Sequence, residues 1–268
     1  MGKRVRLKAN GISDIGLVRK DNEDYYILDE EQSLFIVADG LGGHCGGEIA
    51  SKAAAEAIQK YFKKATGKEL QEEDLENKIK EAIQAAHQEV LGLSANTPEL
   101  KGSGTTIVTA LFKAPYYLYV ANVGDSRAYL FRDKKLELLS QDHSVVAQLV
   151  QKGEITQDET RTHSLRNIVT QAIGIDIGMG CYQKKIEAKD KDIIMLCSDG
   201  LWDMLSDKDI EKIVKEKATS PQNLCSALIE AANSGGGEDN ITVISIFFYK
   251  DEPKISSKTF AKLQKQKV

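Results

Sequence analysis

The apolar positions of this chain form two kinds of pattern, short continuous runs and longer stripes spaced three and four residues apart, and each predicts a different element. Leu34-Phe35-Ile36-Val37-Ala38 is a continuous run that stops at Asp39-Gly40-Leu41-Gly42-Gly43-His44. A run of that length bounded by a turn signal reads as a strand buried on both faces. Strands are also expected over 105–113, 116–122 and 127–132, joined by short turns, which predicts an antiparallel meander and not alternating βαβ units. Two more flank 183–198, a last one covers 241–248, and residues 5–28 read as two short strands around Ser13-Asp14-Ile15-Gly16.

The stripes predict helices. Ile49, Ala53, Ala57, Ile58, Tyr61 and Phe62 mark one over 48–65, and Leu75, Ile79, Ala82, Ile83, Ala86 and Val90 mark another over roughly 72–93. Ser206 precedes a helix through Ile210, Ile213 and Val214, and Ser220-Pro221 starts one that runs to Ala232, with Ser as N-cap and Pro at N1. From 142 to 180 the pattern breaks. Val145, Val146, Leu149 and Val150 suggest a short helix closed by Gly153, Thr156 and Glu159 have capping-box spacing, and the remainder is polar and rich in Arg, Thr and His. This stretch reads as a flap inserted beside the sheet. No repeat or linker divides residues 1–250, so one domain is expected there, followed by a lysine-rich tail over 251–268 whose default is a solvated end.

Four of the strand ends carry an aspartate: Asp39, Asp125 in Gly124-Asp125-Ser126, Asp199 in Ser198-Asp199-Gly200, and Asp239 after Gly235-Gly236-Gly237-Glu238. One Asp-Gly after a strand is ordinarily a turn. Four of them, beside Gly, Asn or Ser, suggest a shared site, and an all-carboxylate set suits Mg²⁺ or Mn²⁺ better than zinc.

Composition narrows the class. The 268 residues, 41% hydrophobic and 28% charged with a net charge of -4, describe an ordinary soluble chain with no case for nucleic-acid binding. Cys45, Cys181, Cys197 and Cys225 have no CxxC spacing, which suggests free thiols in a reducing compartment. No apolar run nears the ~18 residues of a membrane span. The opening MGKRVRLKANG has no signal-peptide core, and Arg6 breaks the myristoylation pattern, so a cytoplasmic protein is expected.

An ordered set of short motifs carries a resemblance. Asp14-x-Gly16-x-x-Arg19-x-x-Asn22-Glu23-Asp24 comes first, then Asp39-Gly40-x-Gly42-Gly43-His44-x-x-Gly47-Glu48, then Gly102-Ser103-Gly104-Thr105-Thr106. Gly124-Asp125-Ser126-Arg127, Gln141-Asp142-His143-Ser144, Arg161-Thr162-His163 and Arg166-Asn167 follow, and Ser198-Asp199-Gly200-Leu201 and Glu238-Asp239-Asn240-Ile241-Thr242 close the series. Over about residues 11–247 the chain resembles the metal-dependent protein phosphatases of the protein phosphatase 2C type, in their bacterial serine/threonine form.

The resemblance implies an α+β fold, a four-layer α-β-β-α sandwich of two antiparallel sheets flanked by helices. It implies hydrolysis of phosphoserine and phosphothreonine by direct attack of a water or hydroxide bridging two Mn²⁺ or Mg²⁺ ions. Asp39 would bridge both ions, the Gly40 carbonyl would bind one, Asp199 and Asp239 would complete the set, and Asp125 would hold a weaker third. Glu23 would act through metal-bound water. Arg19 is the candidate for the substrate phosphate, because a guanidinium can take two phosphate oxygens at once. His44 is the candidate general acid, with a turn histidine that merely orders water as the alternative. Arg161 and His163 are candidates for contacting the substrate peptide, against a structural role. Cys45 lacks the Cys-x5-Arg loop of thiol phosphatases. The implied partners are phosphorylated Ser/Thr proteins, among them a bacterial-type Ser/Thr kinase, with a monomer as default. A metal-free phosphoprotein-binding relative of the enzyme and a small-molecule phosphatase stay open as alternatives.

Overall fold

The computed structural model describes residues 5–42, 46–65, 74–175 and 180–251. His44 and Cys45, and the tail beyond Asp251, lie outside the described residues. The strands are β1 (Val5–Asp14), β2 (Asp24–Asp29), β3 (Leu34–Leu41), β4 (Gly104–Thr105), β5 (Ile107–Lys113), β6 (Tyr117–Val123), β7 (Arg127–Arg132), β8 (Lys135–Leu138), β9 (Tyr182–Glu187), β10 (Ile193–Cys197) and β11 (Ile241–Lys250). The α-helices are α1 (Gly46–Ala65), α2 (Leu75–Asn96), α3 (Val145–Gln151), α4 (Asp199–Trp202), α5 (Asp207–Lys217) and α6 (Pro221–Ser234).

All pairings between these strands are antiparallel. One sheet has the order β1-β11-β10-β7-β8, and the other has β2-β3-β5-β6-β9 with β4 added to β3. The apolar runs are continuous because each central strand feeds two cores. Along β3, Phe35 and Val37 face the core between the sheets, whereas Leu34, Ile36 and Ala38 pack with Ala54, Ile58 and Phe62 of α1 and Ile79 and Ile83 of α2. Along β10, Ile194 and Leu196 join the inter-sheet core, and Ile193, Met195 and Cys197 pack with Leu224 and Leu228 of α6. This two-residue alternation with both faces covered produces the four layers α-β-β-α that the resemblance implied.

The helix ends agree with their sequence signals. Ser206 accepts from the Asp209 N–H at 3.2 Å, and Asp209 reaches back to the Ser206 N–H, a full capping box on α5. Ser220 accepts from Asn223 N–H at 3.1 Å ahead of Pro221. Thr156 donates to Glu159 through its N–H and its hydroxyl, each at 2.7 Å, but the turn that follows is a short 3-10 helix over Asp158–Thr162.

Two expectations need correction. The run over 127–132 does not continue the β5–β6 hairpin. β7 leaves that sheet and pairs with β10, so the chain crosses between sheets at Gly124-Asp125-Ser126. Likewise β1 is one ten-residue strand that pairs with β11, and β2 pairs with β3 in the other sheet, so residues 15–23 also cross over. Strand patterning reports buried faces, not partners: the meander expectation assumes that sequence neighbours pair, and the two strands over 5–28 exist but lie further apart than a single turn.

Phe35 is wholly buried between the sheets. Phe35→Ala is expected to lower unfolding free energy by about 3–5 kcal/mol. Leu138→Ala, at a 37% exposed edge position, should stay within about 0.5 kcal/mol of wild type. Urea denaturation of both variants checks the contrast.

Candidate active site

One end of the sandwich collects the carboxylates. Asp39 lies near the end of β3, Asp125 in the crossover between β6 and β7, Asp199 at the first residue of α4 after β10, and Asp239 two residues before β11. The Gly102-Ser103-Gly104-Thr105-Thr106 motif holds the Asp39 backbone. Its N–H donates to Thr106 Oγ1 at 3.2 Å, and its carbonyl accepts from Thr106 N–H and Thr105 Oγ1, both at 2.9 Å. Gly124 has φ +96° and sits so close to Thr106 that a Cβ would meet its side chain at 2.7 Å, which makes glycine necessary before Asp125.

A fifth carboxylate belongs to the cluster. Asp24, which the sequence motif names without a role of its own, is buried and stands directly opposite Asp39 in the β2–β3 register. Its Oδ2 accepts from Ser198 Oγ at 2.7 Å, and Ser198 Oγ in turn accepts from the Thr242 N–H at 2.9 Å. This buried chain ties β2 of one sheet to β10 and β11 of the other. The signal for it was available in the alternation Asp24, Tyr26, Leu28, which puts Asp24 on an inward face.

Burial raises these groups first, and their mutual repulsion adds to it. Asp24 is raised to about 8 by burial, with Asp199 and Asp239 adding to the shift against hydrogen bonds from Ser198 and Thr242. Asp199 is raised to about 7 by burial and then by Asp239. Asp39 is held well above the usual carboxylate range by burial and then by Asp199, Asp24, Asp125 and Asp239. Asp125 is raised by burial and then by Asp199 and Asp142, against Arg127. Crowded together in the folded chain, these carboxyls favour the protonated form over the ionised one. Among the described residues, no three His, Cys, Asp or Glu side chains stand in position to grip one ion together.

Arg19 and Glu23 arrive on the crossover between β1 and β2. Asn240 organises that segment: its amide donates to the carbonyls of Ile15 and Asp21, each at 3.0 Å, and its Oδ1 accepts from the Glu23 N–H at 2.9 Å. Arg19 meets Asp239 at 2.5 Å with half of its side chain open to solvent. Burial raises the Glu23 carboxyl, Arg19 opposes the shift, and Asp239 adds to it. The Glu23 carbonyl accepts from the Gly40 N–H at 3.2 Å and Ser51 Oγ at 2.6 Å. Any Cβ on Gly40 would run into the Gly47 and Glu23 backbones, and one on Gly47 would lie 2.6 Å from Glu23 Oε2. The two glycines let β3, the Glu23 segment and the start of α1 meet without side chains between them.

The flap is fastened below the cluster. Arg127 binds Asp142 through Nε and Nη2, the shortest contact being 2.6 Å, and its guanidinium stacks 3.8 Å over Trp202. His143, pushed down by burial, accepts the Gly124 N–H on Nδ1 at 3.2 Å. Arg161 donates to the carbonyls of Trp202 and Leu205, the latter at 2.7 Å, so it pins the 3-10 turn of the flap to the end of α4. His163 Nδ1 accepts from the Leu165 N–H at 3.1 Å within the flap. Arg19, Glu23, Asp39, Asp125, Asp199 and Asp239 are therefore electrostatic neighbours. Arg161 and His163 make their contacts with the flap and its support.

Comparison with known proteins identifies the class to which this sandwich with its acidic strand ends belongs. The family model of protein phosphatase 2C matches residues 13–227. The serine/threonine phosphatase stp of Listeria monocytogenes is 36% identical over 87% of this chain and 93% of its own length. The crystal structure of the Mycobacterium tuberculosis serine/threonine phosphatase PstP/Ppp superposes with a TM-score of 0.81 at 34% identity, covering 90% of this chain and 98% of that one. A PstP catalytic domain solved with two manganese ions gives 0.78 at 31% identity, covering 91% and 99%. The chain belongs to the protein phosphatase 2C family.

Carboxyls raised on folding make the folded chain bind protons that the unfolded chain releases. Their stabilisation is complete below the usual carboxylate pKa and is lost as pH rises through about 7 for Asp199 and about 8 for Asp24. Urea unfolding in EDTA from pH 5 to 8 should show wild type losing up to about 1.4 kcal/mol per pH unit for each such group. Asp24→Asn should flatten that slope, and an equal slope in the variant would contradict the protonated assignment.

Proposed function

We propose that the chain is a metal-dependent serine/threonine protein phosphatase working at this cluster. Asp39, Asp199, Asp239 and the Gly40 carbonyl would hold two Mn²⁺ or Mg²⁺ ions, with a weaker third at Asp125. The observation that carries the reading is the convergence of aspartates from separate strand ends into one mutually repelling group. The donor chemistry fits hard divalent cations. Carboxyls raised by burial and by one another would give up their protons to solvent on binding a divalent cation. When bound, the ions supply Lewis acidity, which makes water nucleophilic near neutral pH and neutralises phosphoryl oxygens.

The chain's own residues do the rest. Arg19 contacts Asp239 through Nη2 with half of its side chain open to solvent, and its remaining N–H groups can take phosphate oxygens and orient the ester. Glu23, raised by burial and fixed through Asn240, is placed to hold a water beside the cluster. His44 is assigned the proton that goes to the departing Ser or Thr oxygen. Arg161 would act chiefly by holding the flap over α4, with His163 facing the substrate peptide. We assign the protein to the cytoplasm as a monomer acting on phosphorylated Ser/Thr proteins, including a bacterial-type Ser/Thr kinase. No helix among the described residues is long and apolar enough to cross a membrane.

The test is hydrolysis of p-nitrophenyl phosphate and a phosphothreonine peptide with Mn²⁺, Mg²⁺ or EDTA. Turnover should require metal, and Asp199→Asn should lose at least about 100-fold in kcat. Arg19→Ala should mainly raise KM for both esters. A folded wild type with no turnover in either metal would sink the proposal and favour the phosphoprotein-binding alternative.

A further inference from the structure

Leu17 and Val18 are 68% and 65% exposed, the most open of the exposed large hydrophobic side chains among the described residues. A lone exposed aliphatic residue on a surface is ordinary. These two differ because their backbone is fixed. Gly16, at φ +79°, donates to Asp14 Oδ1 at 2.9 Å, Leu17 N–H donates to the Gly237 carbonyl at 2.8 Å, and Asn240 binds the carbonyls of Ile15 and Asp21. The loop is thus tied to the segment that carries Asp239, and it presents two aliphatic side chains to water immediately before Arg19. The flap adds exposed Leu165 and Ile168. Its Arg166 and Arg161 act on the Asp203 carboxyl, which also feels Asp239, so both segments border the same site.

We propose that Leu17 and Val18 form an apolar platform for an aliphatic side chain lying within two residues of the phosphoserine or phosphothreonine. They would be specificity-determining residues of the site, an inference that rests on the phosphatase reading. A phosphate held by Arg19 brings its chain neighbours, spaced about 3.8 Å apart, against the two residues that precede Arg19. The loop is already ordered, so packing against it incurs little further entropy loss. A serine or an acidic residue at the same place gains nothing from two aliphatic groups, and the platform discriminates on that difference.

The test uses the full chain with Mn²⁺, p-nitrophenyl phosphate, and phosphothreonine peptides carrying either Leu or Ser at each position from two before to two after the phosphoresidue. Wild type should favour at least one Leu-bearing peptide by about tenfold in kcat/KM, the usual worth of a packed aliphatic group. In Leu17→Ser/Val18→Ser the ratio should fall towards one, and in Leu17→Met/Val18→Ile it should persist. No preference in wild type, or an intact preference in the serine variant, overturns the platform, and the single variants Leu17→Ser and Val18→Ser, each at an exposed position, carry the same reading should the double variant not fold. A wild-type dimer that the serine variant loses on light scattering, with the ratio unchanged, would give the pair to a second copy and also overturn it. Wild-type turnover of p-nitrophenyl phosphate separates these outcomes from failure of the phosphatase reading, in which no ester is hydrolysed.

Discussion

Repulsion between carboxylates is the constraint that shapes this end of the molecule. Asp24 and Asp39 face each other across an antiparallel pair, an arrangement that is unfavourable for like charges, and Asp125, Asp199 and Asp239 crowd in from three other strand ends. Such a cluster persists only if the backbone beneath it is over-determined. Three contacts from Thr105 and Thr106 hold Asp39, the Ser198 hydroxyl holds Asp24, and Asn240 holds the Glu23 segment. The remaining layers can be seen as the frame that keeps these contacts in register.

Much of the frame was legible beforehand because burial on both faces writes itself into sequence. Leu34 to Ala38 and Ile193 to Cys197 are uninterrupted apolar runs for a visible reason, since each lies between two cores. Capping signals at Ser206 and Ser220 are local chemistry and read correctly. Partner choice is not local. Nothing in Arg127 to Arg132 says that its neighbour is β10 and not β6, because register between distant strands is decided by which faces can be buried together.

The site divides along the same line. Asp39, Asp125, Asp199 and Asp239 were readable from their motifs, and the chain order of those motifs carried the family. Asp24 is less legible, because an acidic pair in a polar stretch is usually solvated and only the pairing with β3 turns it inward. Arg161 reads in sequence as either a substrate-peptide contact or a structural arginine, and its hydrogen bonds run to backbone carbonyls of Trp202 and Leu205. Those acceptors are invisible in a sequence, since every residue has a carbonyl and geometry alone selects two of them.

The distribution of the acidic residues has a consequence for assembly. Asp39 comes from the sheet that contains β3, Asp199 and Asp239 from the strands β10 and β11 of the other, and Asp125 from the chain segment that passes between them. Cations bound by carboxylates drawn in from both sheets would act as a clasp between the two halves of the sandwich. Their binding energy is available only to a chain whose sheets have already docked in the native register, so occupancy would select the native arrangement over misdocked ones. The same carboxylates whose crowding opposes folding would then serve as its proofreading step.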